Sequence, residues 1–374
     1  MKKSLEVIEA GSFTRYISIC AIVLLLPVTM IQGFDWPVEE RILTATFGEF
    51  WQGHFYGGID LSGGEQMAFP IADGEVVFYQ EEGRGAHCLP RGNGSFIVLQ
   101  HEGGILSVYS HLKKGSVYSQ GVFINARPKQ FGAVDFRASI IEKIDSEEDM
   151  KILEASFKEE TGVVAFRGGL SEKQRSLAYR ILWKAGLVEP IGLTGETGFA
   201  AGTHLSLMII DAEERTILNP IKKDKPPLEP SLSPPVKRRS PGPVIEDIRI
   251  RRGNSMQVFS QGLSVRPGEV EIMARIFDES DFVSYNRKIA PYRIYLSLSG
   301  KLVSTIEFNA LEERNGRLVL HDTDIDCRGL YYEDWVYRLG TLNLAEGRSI
   351  IQIRAEDLYG TARAVEIPLL IENK

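Results

Sequence analysis

Gly53-His54-Phe55-Tyr56-Gly57-Gly58-Ile59-Asp60 and Gly202-Thr203-His204-Leu205-Ser206 are the two stretches on which the reading of this chain turns. Residues i and i+2 of a strand point to one face about 6.5 Å apart, so His204 and Ser206 lean toward a common point. Residues i and i+4 of a straight strand lie roughly 13 Å apart, too far to share a metal ion with bonds of about 2 Å. Tyr56 and Asp60 therefore meet only if the chain bends between them. Gly57-Gly58 predicts that bend, since glycine tolerates the backbone angles of a bulge. The residue types are unusual for metal binding. A serine hydroxyl is a poor zinc ligand, and an un-ionised tyrosine is no better.

With Phe47-Gly48-Glu49 before the first stretch and Gly192-Leu193-Thr194-Gly195-Glu196-Thr197-Gly198 before the second, the chain resembles the M23 (LytM-like, lysostaphin-type) zinc endopeptidases of bacterial cell walls. In that family the first motif reads His-x-x-x-Asp and the second His-x-His, the zinc ligands being the first His, the Asp and the last His. The resemblance implies that Asp60 is a retained ligand and that Tyr56 and Ser206 stand at the two lost histidine positions. Gly92-Asn93-Gly94-Ser95-Phe96-Ile97-Val98-Leu99-Gln100-His101 looks like the strand crossing the groove floor, and Val108-Tyr109-Ser110-His111-Leu112 matches a Tyr-x-His-Leu segment. By position, His111 and His204 would be the histidines that flank the metal-bound water and stabilise charge on the scissile carbonyl. The resemblance covers residues 36–118 and 187–221.

Three functions follow from it. The first is a non-catalytic pseudopeptidase, without a cofactor, whose groove binds peptidoglycan peptides or regulates a cell-wall hydrolase through His111 and His204. The second is an active zinc metalloendopeptidase cleaving peptidoglycan cross-link peptides through a rearranged site. His54, two residues before Tyr56 on the same strand face, would then join Asp60, His111 and His204. That needs a register slip of about 6.5 Å, against a tolerance of about 0.2 Å on metal distances. The third is a structural envelope protein. Whether the chain is an enzyme stays open between these.

Length and composition agree with an ordinary globular chain. At 374 residues it predicts about two domains, each with its own core. A net charge of −7 argues against a nucleic-acid partner, which favours a basic face. Lys237-Arg238-Arg239 sits among prolines and reads as a solvated patch.

Residues 1–33 read as a signal peptide or, uncleaved, as a membrane anchor. Lys2, Lys3 and Arg15 precede an apolar run from Tyr16 to Ile31, shorter than the roughly 20 residues of a spanning helix. The expected location is the periplasm or cell envelope. Cys88 and Cys327 then fall in different expected domains and read as separate thiols.

The expected fold is mainly β: a LytM-like antiparallel groove domain over 34–221, with a partly helical insertion at 119–186, followed by an immunoglobulin-like β-sandwich over 244–374. In the insertion, Ser146-Glu147-Glu148-Asp149 predicts a helix start with Met150, Leu153 and Phe157 on one face. Ser171-Glu172-Lys173-Gln174 is a capping box for a second helix with a Leu177/Ile181/Leu182 stripe. Residues 222–243 form a Pro-rich linker that cannot bury enough apolar surface to order itself. Beyond it, Val270, Ile272, Ala274 and Ile276 alternate with Glu271, Met273 and Arg275, the period of a half-buried strand. Tyr331, Tyr332 and Trp335 read as core packing or a hairpin pair, with a sugar- or protein-facing role as the alternative.

Overall fold

The computed structural model describes residues 34–51, 53–82, 91–117, 123–124, 157–160, 163–166, 190–221, 242–259, 264–280 and 287–373. The N-terminal segment, both expected helices of the insertion, the linker from 222 to 241 and Cys88 lie outside the described residues.

The first part of the chain supplies strands β1 (Ile42–Ala45), β2 (Phe50–Trp51), β3 (His54–Phe55), β4 (Gly58–Ser62), β5 (Met67–Ala68), β6 (Gly74–Gln80), β7 (Ser95–Gln100) and β8 (Ile105–Leu112). Then come β9 (Phe123–Ile124), β10 (Phe157–Glu160), β11 (Val163–Phe166), β12 (Gly192–Leu193), β13 (His204–Asp211) and β14 (Thr216–Leu218). Strand β13 is central, paired antiparallel with β4, β8 and β14. Its alternation explains its two faces. Leu205, Leu207 and Ile209 are fully buried in the core, which leaves His204 and Ser206 on the opposite face. Leu43, Ile59, Leu61, Ile97 and Leu99 complete that core, and Tyr109 is anchored inside it by a 2.8 Å bond from the Ile71 N–H to its hydroxyl.

One local expectation fails. Phe157 does not lie on a helix face but opens β10, which pairs with β11 in the register Phe157↔Phe166 to Glu160↔Val163. At Phe157 cross-strand pairing with β11 overrides the helical spacing.

The second part contributes β15 (Val244–Arg252), β16 (Ser255–Val258), β17 (Ser264–Val265), β18 (Gly268–Glu279), β19 (Lys288–Ile289), β20 (Arg293–Leu298), β21 (Lys301–Glu307), β22 (Ala310–Arg314) and β23 (Arg317–Leu320). The short helix α1 (Cys327–Leu330) precedes β24 (Tyr331–Glu333), β25 (Val336–Leu344), β26 (Gly347–Glu356) and β27 (Ala362–Ile371). One sheet runs β16-β15-β18-β25-β24 and the facing one β17-β27-β26-β20-β21. The β15-β18-β25 and β27-β26-β20 groupings are the A-B-E and G-F-C strands of an immunoglobulin-type sandwich. Val270, Ile272, Ala274 and Ile276 face its core as their alternation requires. Met273 is buried too, on the opposite face of β18, so this strand is covered there on both sides.

The two parts are not simply strung together. Strands β22 and β23 leave the sandwich and extend the first sheet, with β14 paired to β22 from Thr216↔Glu312 to Leu218↔Ala310. The sandwich core takes in Phe47 and Phe55 from the first part, beside Phe308, Tyr331 and Tyr337. The Tyr331 hydroxyl donates to the Gly48 carbonyl at 2.8 Å, and Asn219 Nδ2 donates to the Phe308 carbonyl at 2.7 Å. The segment that carries Glu49 to Tyr56 is thus held from both sides.

Candidate functional site

Strands β4 and β13 build the floor of the site. Their register sets Ser206 opposite Asp60, while β8 places Ser110 on the other flank of Ser206. The bend at Gly57-Gly58 exists, with β3 ending at Phe55 and β4 starting at Gly58. Its reason differs from the expected one. Neither glycine has a positive φ. A Cβ on Gly58 would instead lie 2.6 Å from the Leu207 carbonyl oxygen, so glycine is needed there because two backbones approach closely.

That bend folds Tyr56 back over the floor. Its hydroxyl donates to Asp60 Oδ1 and lies 2.6 Å from Ser206 Oγ. With the phenolic proton on Asp60, Ser206 is the donor to Tyr56 Oη. The Trp51 indole stacks on the Tyr56 ring, centroids 4.9 Å apart at 22°. Burial, then the Asp60 charge and its hydrogen bond, hold the Tyr56 hydroxyl well above its ordinary pKa, so it stays a phenol.

The two histidines sit beside this trio. His204 Nδ1 donates to the Gly202 carbonyl at 2.7 Å, which leaves Nε2 to face Asp60 Oδ2 at 3.7 Å, beyond hydrogen-bond range. His111 Nδ1 donates to the Thr197 carbonyl at 2.8 Å, and the two imidazoles lie 4.6 Å apart, tilted by 46°. Burial lowers the His111 pKa, the Thr197 bond opposes this, and the neighbouring His204 lowers it further. His111 also has φ 64°, a left-handed backbone that costs a non-glycine residue on the order of 1 kcal/mol or more.

The structure brings Tyr56, Asp60, His111, His204 and Ser206 together. It leaves His54 exposed, paired across β2-β3 with Trp51. Among the described residues, no three His, Cys, Asp or Glu side chains gather as a metal-holding group. His101, outside the site, is a buried core histidine bonded to the Asp73 carbonyl and to Ser107 Oγ.

Sequence reasoning assigned no role to Glu49, although it quoted the residue. The Glu49 carboxyl is buried and accepts from the Thr46 N–H at 2.6 Å and Thr46 Oγ1 at 2.9 Å. Burial raises its pKa from 4.5 to about 7, against the Thr46 bonds and the Arg287 charge, with Asp60 adding to the rise. A raised folded-state pKa means that the folded protein binds the proton more tightly. Stability on this account is complete below pH 4.5 and is lost as pH rises through about 7. The expected loss is about 3 kcal/mol. Urea unfolding at pH 4.5 and pH 8 should show a difference that shrinks in Glu49→Gln; an equal pH dependence in the variant would contradict the assignment.

A protein-family model matches residues 242–372, which is the sandwich part. No curated protein matches the chain. Among solved structures, a zinc-containing peptidase from Vibrio cholerae is similar at 16% identity and TM-score 0.28, over 52% of this chain and 41% of that one. The chain therefore spans less than half of that protein. The SpoIIQ–SpoIIIAH pore-forming complex is similar at 14% identity and TM-score 0.27, covering 51% of this chain and 89% of the matched one. Lysostaphin is similar at 12% identity and TM-score 0.26, over 77% and 85%.

Proposed function

We propose that this chain is an exported, LytM-like cell-wall protein whose groove binds peptidoglycan peptides, or a cell-wall hydrolase, without hydrolysing a bond. The observation that carries the reading is the closed trio of Tyr56, Asp60 and Ser206. At the three positions that the resemblance assigns to zinc ligands, the Tyr56 hydroxyl, Asp60 Oδ1 and the Ser206 hydroxyl hydrogen-bond one another. The Tyr56 hydroxyl occupies Asp60 Oδ1, its ring fills the space between Asp60 and Ser206, and it is held as a phenol. These residues do not fit a zinc ion, and no catalytic step is routed through one.

The remaining chemistry is that of a binding groove. His111 and His204 each commit Nδ1 to a backbone carbonyl, so Nε2 is the nitrogen left to meet a ligand. Two imidazoles side by side can hydrogen-bond a peptide carbonyl or carboxylate, which matches the crosslink peptides of a cell wall. Export through residues 1–33 would place the groove in the periplasm or envelope, where both partners lie.

Elemental analysis of the purified protein after mild dialysis tests the reading, together with co-sedimentation on purified sacculi. Well under one equivalent of zinc, binding to sacculi or to a hydrolase, and no release of crosslink peptides are the expected results. Stoichiometric, tightly held zinc would overturn it. Binding that survives His111→Ala with His204→Ala unchanged would remove the groove from the account.

A further inference from the structure

A cavity of about 380 Å³ lies at the junction of the two cores, with walls from three separate stretches of chain. Glu49, Phe50 and Trp51 form one wall, Arg287 with Lys288, whose ammonium lies over the Phe277 ring, a second, and Asp334 with Trp335 the third. Trp335 is the informative residue. Asp334-Trp335 is a two-residue connection between β24 and β25, which pair at Glu333↔Val336. Such a turn favours glycine or asparagine where φ is positive, yet Trp335 sits there at φ 65°. Its carbonyl accepts from the Ile276 N–H at 2.9 Å, so the strained backbone is fixed in place. The indole is only half-buried and belongs to neither hydrophobic core. Core packing therefore does not explain it, while lining the cavity does.

We propose that this cavity binds a saccharide bearing a carboxylate. Trp51, Trp335 and Phe50 offer apolar faces to the C–H face of a sugar ring. Arg287 presents a planar fork of donors suited to a carboxylate. Asp334, exposed at the rim, supplies acceptors for ring hydroxyls, while the buried Glu49 carboxyl is held by Thr46. A peptide held by strand addition would need a row of backbone donors and acceptors. This wall is built of side chains and a tight turn, which suits a compact ring carrying both donors and acceptors. The site adjoins the histidine groove through Trp51, which stacks on Tyr56, but its assignment does not depend on what that groove binds.

Ligand-observed NMR titration of the full chain with glucuronate and with glucose is the test, since the two differ only in the carboxylate. Saturable binding of glucuronate, with glucose at least about tenfold weaker, is the expected result. Arg287→Gln should bring glucuronate down to the level of glucose. Trp335→Gly should abolish binding of both while the protein melts within a few degrees of the parent, because glycine accepts that backbone without strain. The proposal is overturned by no saturable glucuronate binding, or by equal or better binding of the acidic dipeptide Gly-Glu. An unfolded Trp335→Gly protein would overturn it too, by showing that the indole is there to hold the fold.

Discussion

Tyr56→His combined with Ser206→His is expected to convert the site into one that holds a zinc ion on each chain. The backbone is already arranged for it. Asp60 and position 206 face each other across β4 and β13, and the Gly57-Gly58 bend returns position 56 to the same point. The double change removes the phenol that occupies Asp60 Oδ1 and supplies two imidazoles, which bind zinc at about 2.0–2.1 Å. Each single variant adds one imidazole and leaves the third ligand missing, so its gain should be small. For the pair, affinity should rise at least about a thousandfold over the parent, which is about 4 kcal/mol. Competition against a chromogenic chelator measures it. A folded double variant that binds no more zinc than the parent would mean that the groove has diverged beyond these two side chains.

Gly48→Ala should be the most damaging small substitution near the site. Gly48 has φ 86°, where an L side chain is strained. The added Cβ would meet Phe308 Cδ1 at 2.1 Å, an overlap with a ring buried in the sandwich core. Because the Gly48 carbonyl also accepts from Tyr331, the backbone cannot move away without releasing that bond. Backbone strain and overpacking together should cost roughly 3–5 kcal/mol. Chemical denaturation gives the loss directly. In a Phe308→Ala background the additional cost of Gly48→Ala should be smaller, since the clash would be gone while the φ penalty stays. A Gly48→Ala protein as stable as the parent would show that the two parts are not locked at this point.

Much of the site is legible in the sequence, and particular residues show why. His204 and Ser206 share a face because a strand repeats every two residues, and that repeat is written in Leu205, Leu207 and Ile209 between and beyond them. Strand β18 shows the limit of the same rule. Val270, Ile272, Ala274 and Ile276 keep one face throughout, yet Met273 on the other face is buried as well, which depends on what packs there rather than on β18 alone. Phe157 fell the other way for a similar reason, since its helical spacing lost to pairing with Phe166.

Local spacing determined which side chains this chain offers: an aspartate, two histidines, a tyrosine and a serine, set on strands around a glycine bend. Only the tertiary structure decided what they do to one another. The bond between Tyr56 and Ser206, the close approach of Leu207 that requires Gly58, and the burial that lifts Glu49 to a pKa of about 7 each depend on contacts between segments far apart in sequence. So does the departure of β22 and β23 from the sandwich to extend the other sheet. Alternation tells which face of a strand is apolar. The neighbouring strand is chosen by the competing ways of burying that face, and this choice is made by the whole chain at once.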